Sequence, residues 1–279
     1  MHSLGNDFVV LDRITQHFTI TPKLMSHLGD RHLGIGCDQI LLIDPPISPN
    51  MDFSYRIFNA DGKEVEQCGN GARCIGRYLL DKGLTSKTLI SVDSLGGPIQ
   101  IDVQEPDHIE AYLGHPQFPP KAKGFKIQNL KETRPARYKI PIFKAEKEIS
   151  LISLGNPHCI LSVPNIKDAK VTTIGKSLQS SPFFPEGVNV SFVQLLARNH
   201  IKLRIYERGV GETQACGTAA CAAVIAGIMG KELNSNVQVE MPGGRLSVSW
   251  TKENGVRVSG NTYYVFQGSF LIQQPEEND

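Results

Sequence analysis

Apolar and polar residues alternate in short runs over much of the chain. The stretches at 7–12, 53–58 and 99–103, then 159–163, 190–195, 201–206 and 246–250, are rich in β-branched and aromatic residues. A period of two with that composition predicts half-buried strands. Three stretches follow the helical period instead. Thr21 and Pro22 supply an N-cap and a first-turn proline, predicting a helix over 23–32. Residues 70–82 place Ile75, Tyr78 and Leu79 on one face and stop at Gly83. Residues 218–229 are apolar on every side and stop at Gly230. A helix without a polar face has to be buried, so this one belongs at the centre of a surrounding sheet.

The pattern repeats. Leu4-Gly5-Asn6 returns as Leu154-Gly155-Asn156, and Arg56-Ile57-Phe58-Asn59 returns as Arg204-Ile205-Tyr206-Glu207. Cys68-Gly69-Asn70-Gly71-Ala72 returns as Cys216-Gly217-Thr218-Ala219-Ala220, Gly96-Gly97 as Gly243-Gly244, and the run ending at Gly114 as the run ending at Gly260. Five ordered matches, each about 150 residues later, mark a duplicated unit. By the repeat, the helix over 70–82 is central as well. The expected fold class is α+β, with two pseudosymmetric domains facing each other. Each is a curved mixed or antiparallel sheet wrapped around a central helix. The expected boundary lies in the Pro-rich stretch Pro116-Gln117-Phe118-Pro119-Pro120, giving domains at 1–116 and 117–262, with a frayed acidic tail over 275–279.

With 279 residues and 40% hydrophobic content, each unit can bury a core of its own. The 29 basic and 28 acidic residues leave a net charge of +1, which points away from nucleic acid and anionic membranes as partners. The first residues show no secretory signal, and the apolar run 215–230 is too short and too interrupted to span a bilayer. A cytoplasmic location is therefore expected. The six cysteines (37, 68, 74, 159, 216 and 221) are then thiols rather than a disulfide scaffold.

Two of these thiols sit where a loop enters a helix. First-turn N–H groups have no partner within the helix, and the macrodipole places partial positive charge there. That environment predicts a lowered thiol pKa at Cys68 and Cys216 and, beside small residues, room for a carboxylate. Two such helix starts meeting across a cleft would hold one carboxylate with a sulfur on either side of its α-carbon. One thiolate then removes the α-proton and the opposite thiol returns one to the other face. No cofactor and no metal is required. The bland reading, a small buried hydrophobe, is kept for Cys37, Cys74, Cys159 and Cys221. A zinc site from Cys68, Cys74, Cys216 and Cys221 is disfavoured because neither pair has the C-x-x-C spacing. No P-loop or dinucleotide fingerprint is present.

Two segments carry a family resemblance. The first is Asn59-Ala60-Asp61-Gly62 with Glu66-Gln67-Cys68-Gly69-Asn70-Gly71-Ala72-Arg73-Cys74. The second is Glu207-Arg208-Gly209-Val210-Gly211-Glu212-Thr213 with Ala215-Cys216-Gly217-Thr218. Gly5-Asn6-Asp7-Phe8, Gly34-Ile35-Gly36, Asp38-Gln39, Gly155-Asn156-Pro157-His158 and Gly187-Val188-Asn189 support them. Over nearly its whole length the chain resembles the diaminopimelate epimerase family. The resemblance implies interconversion of LL- and meso-diaminopimelate in the cytoplasm, on the way to lysine, without pyridoxal phosphate or metal. It implies Cys68 and Cys216 as proton donor and acceptor, and Gly69-Asn70 and Gly217-Thr218 as the cradle of the reacting carboxylate. Asn6, Gln39, Asn59, Asn156, Asn189, Glu207 and Arg208 follow as the remaining substrate contacts, with His158 and Glu207 tuning the thiols. It also implies a homodimer and a final strand over 263–274 returning to the first domain. Departures from the family pattern are Ser3 and Ala219 for glycines, Cys37 for an aromatic, Asn261-Thr262 for Pro-Ala, and Phe266 for a tyrosine tied to dimer contacts. The nearest alternatives are a proline racemase and a phenazine-type isomerase. The thiol pair disfavours the latter, and Glu207-Arg208 with the asparagine set disfavours proline as substrate.

Overall fold

A computed structural model describes residues 1–66, 68–105, 108–119, 122–128, 130–143 and 145–271. The expected frayed tail, the end of the expected final strand and Pro120 of the expected boundary lie outside the described residues.

The first part of the chain runs β1 (His2–Ser3), β2 (Asn6–Asp12), α1 (Pro22–Gly29), β3 (Gln39–Asp44), β4 (Phe53–Asn59), β5 (Glu64–Val65), α2 (Gly69–Asp81), β6 (Leu89–Asp93), β7 (Ile99–Glu105) and β8 (His108–Tyr112). The second runs β9 (Glu132–Arg134), β10 (Arg137–Ile142), β11 (Ala145–Ser153), β12 (Pro157–Ser162), α3 (Val171–Gln179), β13 (Asn189–Ala197), β14 (His200–Glu207), β15 (Gly211–Thr213), α4 (Gly217–Met229), β16 (Asn236–Met241), β17 (Gly244–Thr251) and β18 (Gly255–Gly260). Mixed strands with few helices make this an α+β fold, as the periodicity predicts.

Strand pairing follows one order twice. β2 pairs β3 in parallel, β3 pairs β4 antiparallel, β4 pairs β5 antiparallel and β6 in parallel, and β6–β7–β8 continue antiparallel. β12 and β13, β14, β15 and β16, and β16–β17–β18 repeat those senses one for one. An antiparallel ladder between β8 and β18, with Ala111 opposite Val258, joins the two runs across the expected boundary.

Helix α4 is buried from Gly217 to Gly227 and packs against β11, β12, β13, β17 and β18. Val224 and Ile225 are fully enclosed, each worth about 1.5–3 kcal/mol on transfer out of water. Helix α2 buries Ile75 and Leu79 against β7 and β8. Gly76 permits that approach, since a methyl there would meet Ile101 Cγ2 at 2.5 Å.

Two expectations are corrected. Helix α1 ends at Gly29 rather than His32, because the Asp30 carboxylate accepts from the N–H groups of His32 and Leu33 and turns the chain. The expected final strand forms no ladder within the described residues. Tyr263 makes a single bridge with His2, and Phe270 packs edge-on to His27 with centroids 5.5 Å apart. The Pro-free but Gly- and Ser-containing stretch 264–271 runs beside β2 and α1 without backbone pairing; Phe270 packs against their apolar side chains, whereas Val265, Phe266 and Leu271 are exposed.

Candidate active site

Both repeated cysteines are the N-caps of their helices. Cys68 has φ −143° and ψ 104°, Cys216 φ −143° and ψ 118°. Extended backbone at that position turns each side chain back over the first helical turn, where an N-cap oxygen would normally accept a hydrogen bond. The Cys68 sulfur does so from the Gly71 N–H at 3.3 Å. The Cys216 sulfur lies 3.5 Å from the Thr218 hydroxyl. Cys68 and Cys216 are half-buried, whereas Cys37, Cys74, Cys159 and Cys221 are buried, the last three completely.

The two helix starts abut. A methyl built on Gly217 would lie 3.5 Å from the Gly69 Cα, 3.5 Å from Asn70 Oδ1 and 3.6 Å from the Asn70 nitrogen. With glycine on both sides, the space between the two helix starts is left free of side chains. The half-buried Glu207 carboxyl, fixed by the Thr213 hydroxyl, acts on both thiols: its charge raises the pKa of Cys68 and of Cys216. Two sulfurs from distant parts of the chain therefore share one electrostatic neighbourhood.

Around Cys68 the predicted residues form a chain of amides. Asn6 Oδ1 accepts from Asn70 Nδ2 at 3.4 Å and faces the Cys68 sulfur at 3.7 Å, while Asn6 Nδ2 donates to Asp38 at 3.2 Å. Gln39 and Asn59, opposite one another in the β3–β4 ladder, pair through Gln39 Nε2 and Asn59 Oδ1 at 3.0 Å. Around Cys216 a second chain runs from His158 Nε2 to Asn156 Oδ1 at 2.9 Å. It continues from Asn156 Nδ2 to the Thr218 hydroxyl at 3.4 Å, and so to the sulfur. Asn189 spends its amide on backbone, accepting from the Arg208 N–H at 2.9 Å and donating to the Pro157 carbonyl at 3.3 Å. It thereby sets where β14 ends and where Arg208 begins. The structure thus joins Asn6 and Asn70 to Cys68, and Asn156, His158 and Thr218 to Cys216, while Gln39 and Asn59 form a pair of their own.

The expected lowering of the thiol pKa is not what the ligand-free structure gives. Burial pushes Cys68 up to about 11 and Cys216 well above the usual thiol value, and Glu207 adds to both. The Gly71 N–H opposes the shift at Cys68 without overcoming it. Desolvation outweighs the helix terminus because protein surrounds most of each half-buried sulfur. Burial likewise holds His158 down at about 3, so its ring is neutral and acts through its N–H, not its charge. Burial raises the Glu207 carboxyl.

Sequence reasoning passed over two groups. Thr213 anchors Glu207, and Arg73, completely buried, donates to Asn70 Oδ1 and Ser3 Oγ, each at 2.8 Å. The spacing of Arg73, three residues after Asn70 and four after Gly69, was the available signal, since both lie on its own helical face.

Among the described residues no group of three or more histidine, cysteine or acidic side chains is placed to hold a metal ion, and no helix is long and apolar enough to cross a membrane. Solved structures that share the fold include a probable proline racemase from Agrobacterium radiobacter (TM-score 0.72, 15% identity, covering 99% of this chain and 92% of that one). A phenazine biosynthesis protein of the PhzF family from Bacillus anthracis is similar as well (TM-score 0.64, 20% identity, covering 98% and 95%). Sequence likeness is far greater to diaminopimelate epimerases of Azotobacter vinelandii and Ectopseudomonas mendocina, each 46% identical over 273 residues and 98% of both chains. The model of the diaminopimelate epimerase family matches residues 1–119 and 150–265. The chain belongs to the diaminopimelate epimerase family.

Proposed function

We propose that this protein interconverts LL- and meso-diaminopimelate, and that it does so with Cys68 and Cys216 as a two-base pair and no cofactor. Family membership and the named relatives carry the isomerase activity and the substrate. The abutting helix starts carry the mechanism, because they offer one carboxylate two sets of free N–H groups with a sulfur at each cap.

In this reading the reacting carboxylate docks on the N–H groups of Gly69-Asn70 and Gly217-Thr218. Negative charge that develops on the α-carbon and its carboxylate in the transition state is met by those donors in a closed, dry pocket. One sulfur, as thiolate, takes the α-proton; the other, as thiol, donates to the opposite face; the pair has then exchanged protonation states and is set for the reverse reaction. Both thiols are held high, so the reactive pair, with one proton between two sulfurs, forms when one thiol loses its proton to solvent before the cleft closes, and the pair titrates as a unit. Asn6, Gln39, Asn59, Asn156 and Asn189 hold the polar ends of the substrate, Glu207 receives an ammonium group, and Arg208 grips the distant carboxylate in bidentate fashion. His158 orients Asn156 and, through Thr218, the Cys216 thiol. The paired halves act as two domains at 1–116 and 117–262 that close on the substrate, in the cytoplasm, as a homodimer.

The test is solvent exchange. Incubated in deuterium oxide with LL-diaminopimelate, the reduced protein is expected to place deuterium at the α-carbon and to form the meso isomer. Cys68→Ala and Cys216→Ala each lower interconversion by at least about 10³-fold, whereas Cys37→Ala leaves it intact. Exchange on proline but not on diaminopimelate would refute the substrate, and activity surviving in both cysteine variants would refute the mechanism.

A further inference from the structure

Arg73 is a fully buried guanidinium without a carboxylate. It sits on α2 one turn below the Cys68 cap, and its polar contacts are all neutral: the Gly69 carbonyl at 3.1 Å, Asn70 Oδ1 at 2.8 Å and Ser3 Oγ at 2.8 Å. Among the described residues no acidic group forms an ion pair with it, and its Nε has no partner. The ionisable groups that face it are Cys68 and Cys74 of its own helix, Cys221 of α4 and Tyr55 of β4. An arginine keeps its proton in such a place, because the guanidinium pKa is too high for burial to remove it. A buried cation without an anion is costly, and the fold as it stands supplies no anion.

The anion arrives with the reaction. We propose that Arg73 is the positioning residue of the catalytic cradle: through Asn70 and Gly69 it fixes the first turn of α2, and its charge is the fixed counterion for the negative charge shared by the bound carboxylate and the Cys68 thiolate. Asn70 is the link. With its oxygen held by Arg73, its nitrogen can only point toward Asn6 Oδ1, the same atom that faces the Cys68 sulfur. Ser3, one of the positions where this chain departs from the family pattern, holds the guanidinium from the other side while donating to the Asn261 carbonyl at 2.9 Å. The charge of Arg73 acts to lower the Cys68 pKa, against burial and Glu207. The identity of the carboxylate rests on the function proposed above; the effect on Cys68 does not.

The experiment reads that effect without a turnover assay. Iodoacetamide alkylation of Cys68 and Cys216 is followed separately by peptide mass spectrometry in the full-length protein at pH 8. Thiolate is the reacting form, so Arg73→Met is expected to slow Cys68 by about tenfold or more while changing Cys216 by less than about threefold. Arg73→Lys, which returns the charge but not the fork of donors, is expected to recover most of the Cys68 rate and not the turnover number. A merely structural role predicts the opposite sign, because a loosened helix exposes Cys68 and speeds its alkylation; an equal or faster rate in Arg73→Met overturns the proposal. Where Arg73→Met does not fold, Ser3→Ala decides. A Cys68 rate lowered by about threefold at an unchanged melting temperature supports the assignment, and an unchanged rate overturns it. A wild-type protein that shows this alkylation pattern but no exchange on diaminopimelate would sink the functional reading and leave the counterion role standing.

Discussion

At the scale of single residues, the surroundings of each N-cap sulfur govern its titration more than the helix it caps. Cys68 and Cys216 stood out because each is followed by small residues and opens a helix, a local pattern that one sequence can show. The direction of their titration could not be seen there. Burial depends on what the rest of the chain puts over the sulfur, and here that covering includes Glu207, itself half-buried and raised. Arg73 was missed for the same reason, since a cation on an otherwise apolar helical face reads as solvent-directed until the helix is seen to be covered. Glu207 gives a prediction at this scale. Its carboxylate is the strongest influence after burial on Cys216. Removing the charge in Glu207→Gln should raise the alkylation rate of Cys216 several-fold at pH 8, because the thiol pKa falls and more thiolate is present. The same change should lower kcat/KM on diaminopimelate by about 10²-fold or more, as a substrate contact is lost. Reactivity and activity moving in the same direction would mean that Glu207 does not act on the thiol by its charge.

At the scale of elements, the helices that carry the site were read to within a residue at their starts, because the cap itself is the sequence signal. Helix α1 was overrun by three residues, since the Asp30 turn that stops it resembles a helix continuation in composition. Helix α3 was missed: Lys170 offers no side-chain cap and the segment is short. The hairpins of β9, β10 and β11 are not legible in the sequence: Pro141 interrupts the alternation of β10, and β11 opens on the exposed Ala145-Glu146-Lys147-Glu148 before its buried half from Ile149 onward. The facing starts of α2 and α4 support a substitution that separates folding from function. In Gly217→Ala the new methyl meets Gly69 and Asn70 at 3.5 Å, an ordinary contact, and alanine is the better helix former by about 1 kcal/mol. The melting temperature should therefore hold or rise, while the methyl occupies the space between the two sets of N–H donors and interconversion falls by about 10²-fold or more. An active variant would place the carboxylate somewhere other than between these helices.

At the scale of the whole molecule, the duplicated order of elements could be seen in five ordered matches, but the join could not. The β8–β18 ladder pairs residues far apart in the chain, Ile109 with Gly260 and Ala111 with Val258, and no local pattern encodes such a pairing. The buried polar groups do set how the assembled molecule responds to acid. His158 is enclosed, and its pKa is held down at about 3 by burial first and by Arg208 second. The unfolded chain takes up a proton on that ring near pH 6.5, which the folded protein refuses until about pH 3. Its contribution is therefore present above pH 6.5 and is lost as pH falls toward 3, at up to about 1.4 kcal/mol per unit. The buried thiols work in the other window. Cys37 and Cys68 are raised to about 11, Cys74 and Cys221 to about 12, so the stability they provide is whole below the ordinary thiol pKa and is lost as pH climbs through those values. Denaturant unfolding of the wild type is expected to cost more stability between pH 7 and pH 4.5 than unfolding of His158→Asn, by roughly 2 kcal/mol. The variant starts lower at pH 7, because the bond to Asn156 is gone, and the two curves converge in acid. Parallel curves would mean that His158 is protonated within the fold, and its ring would then act on Cys216 by charge rather than by holding Asn156 and Thr218 in line.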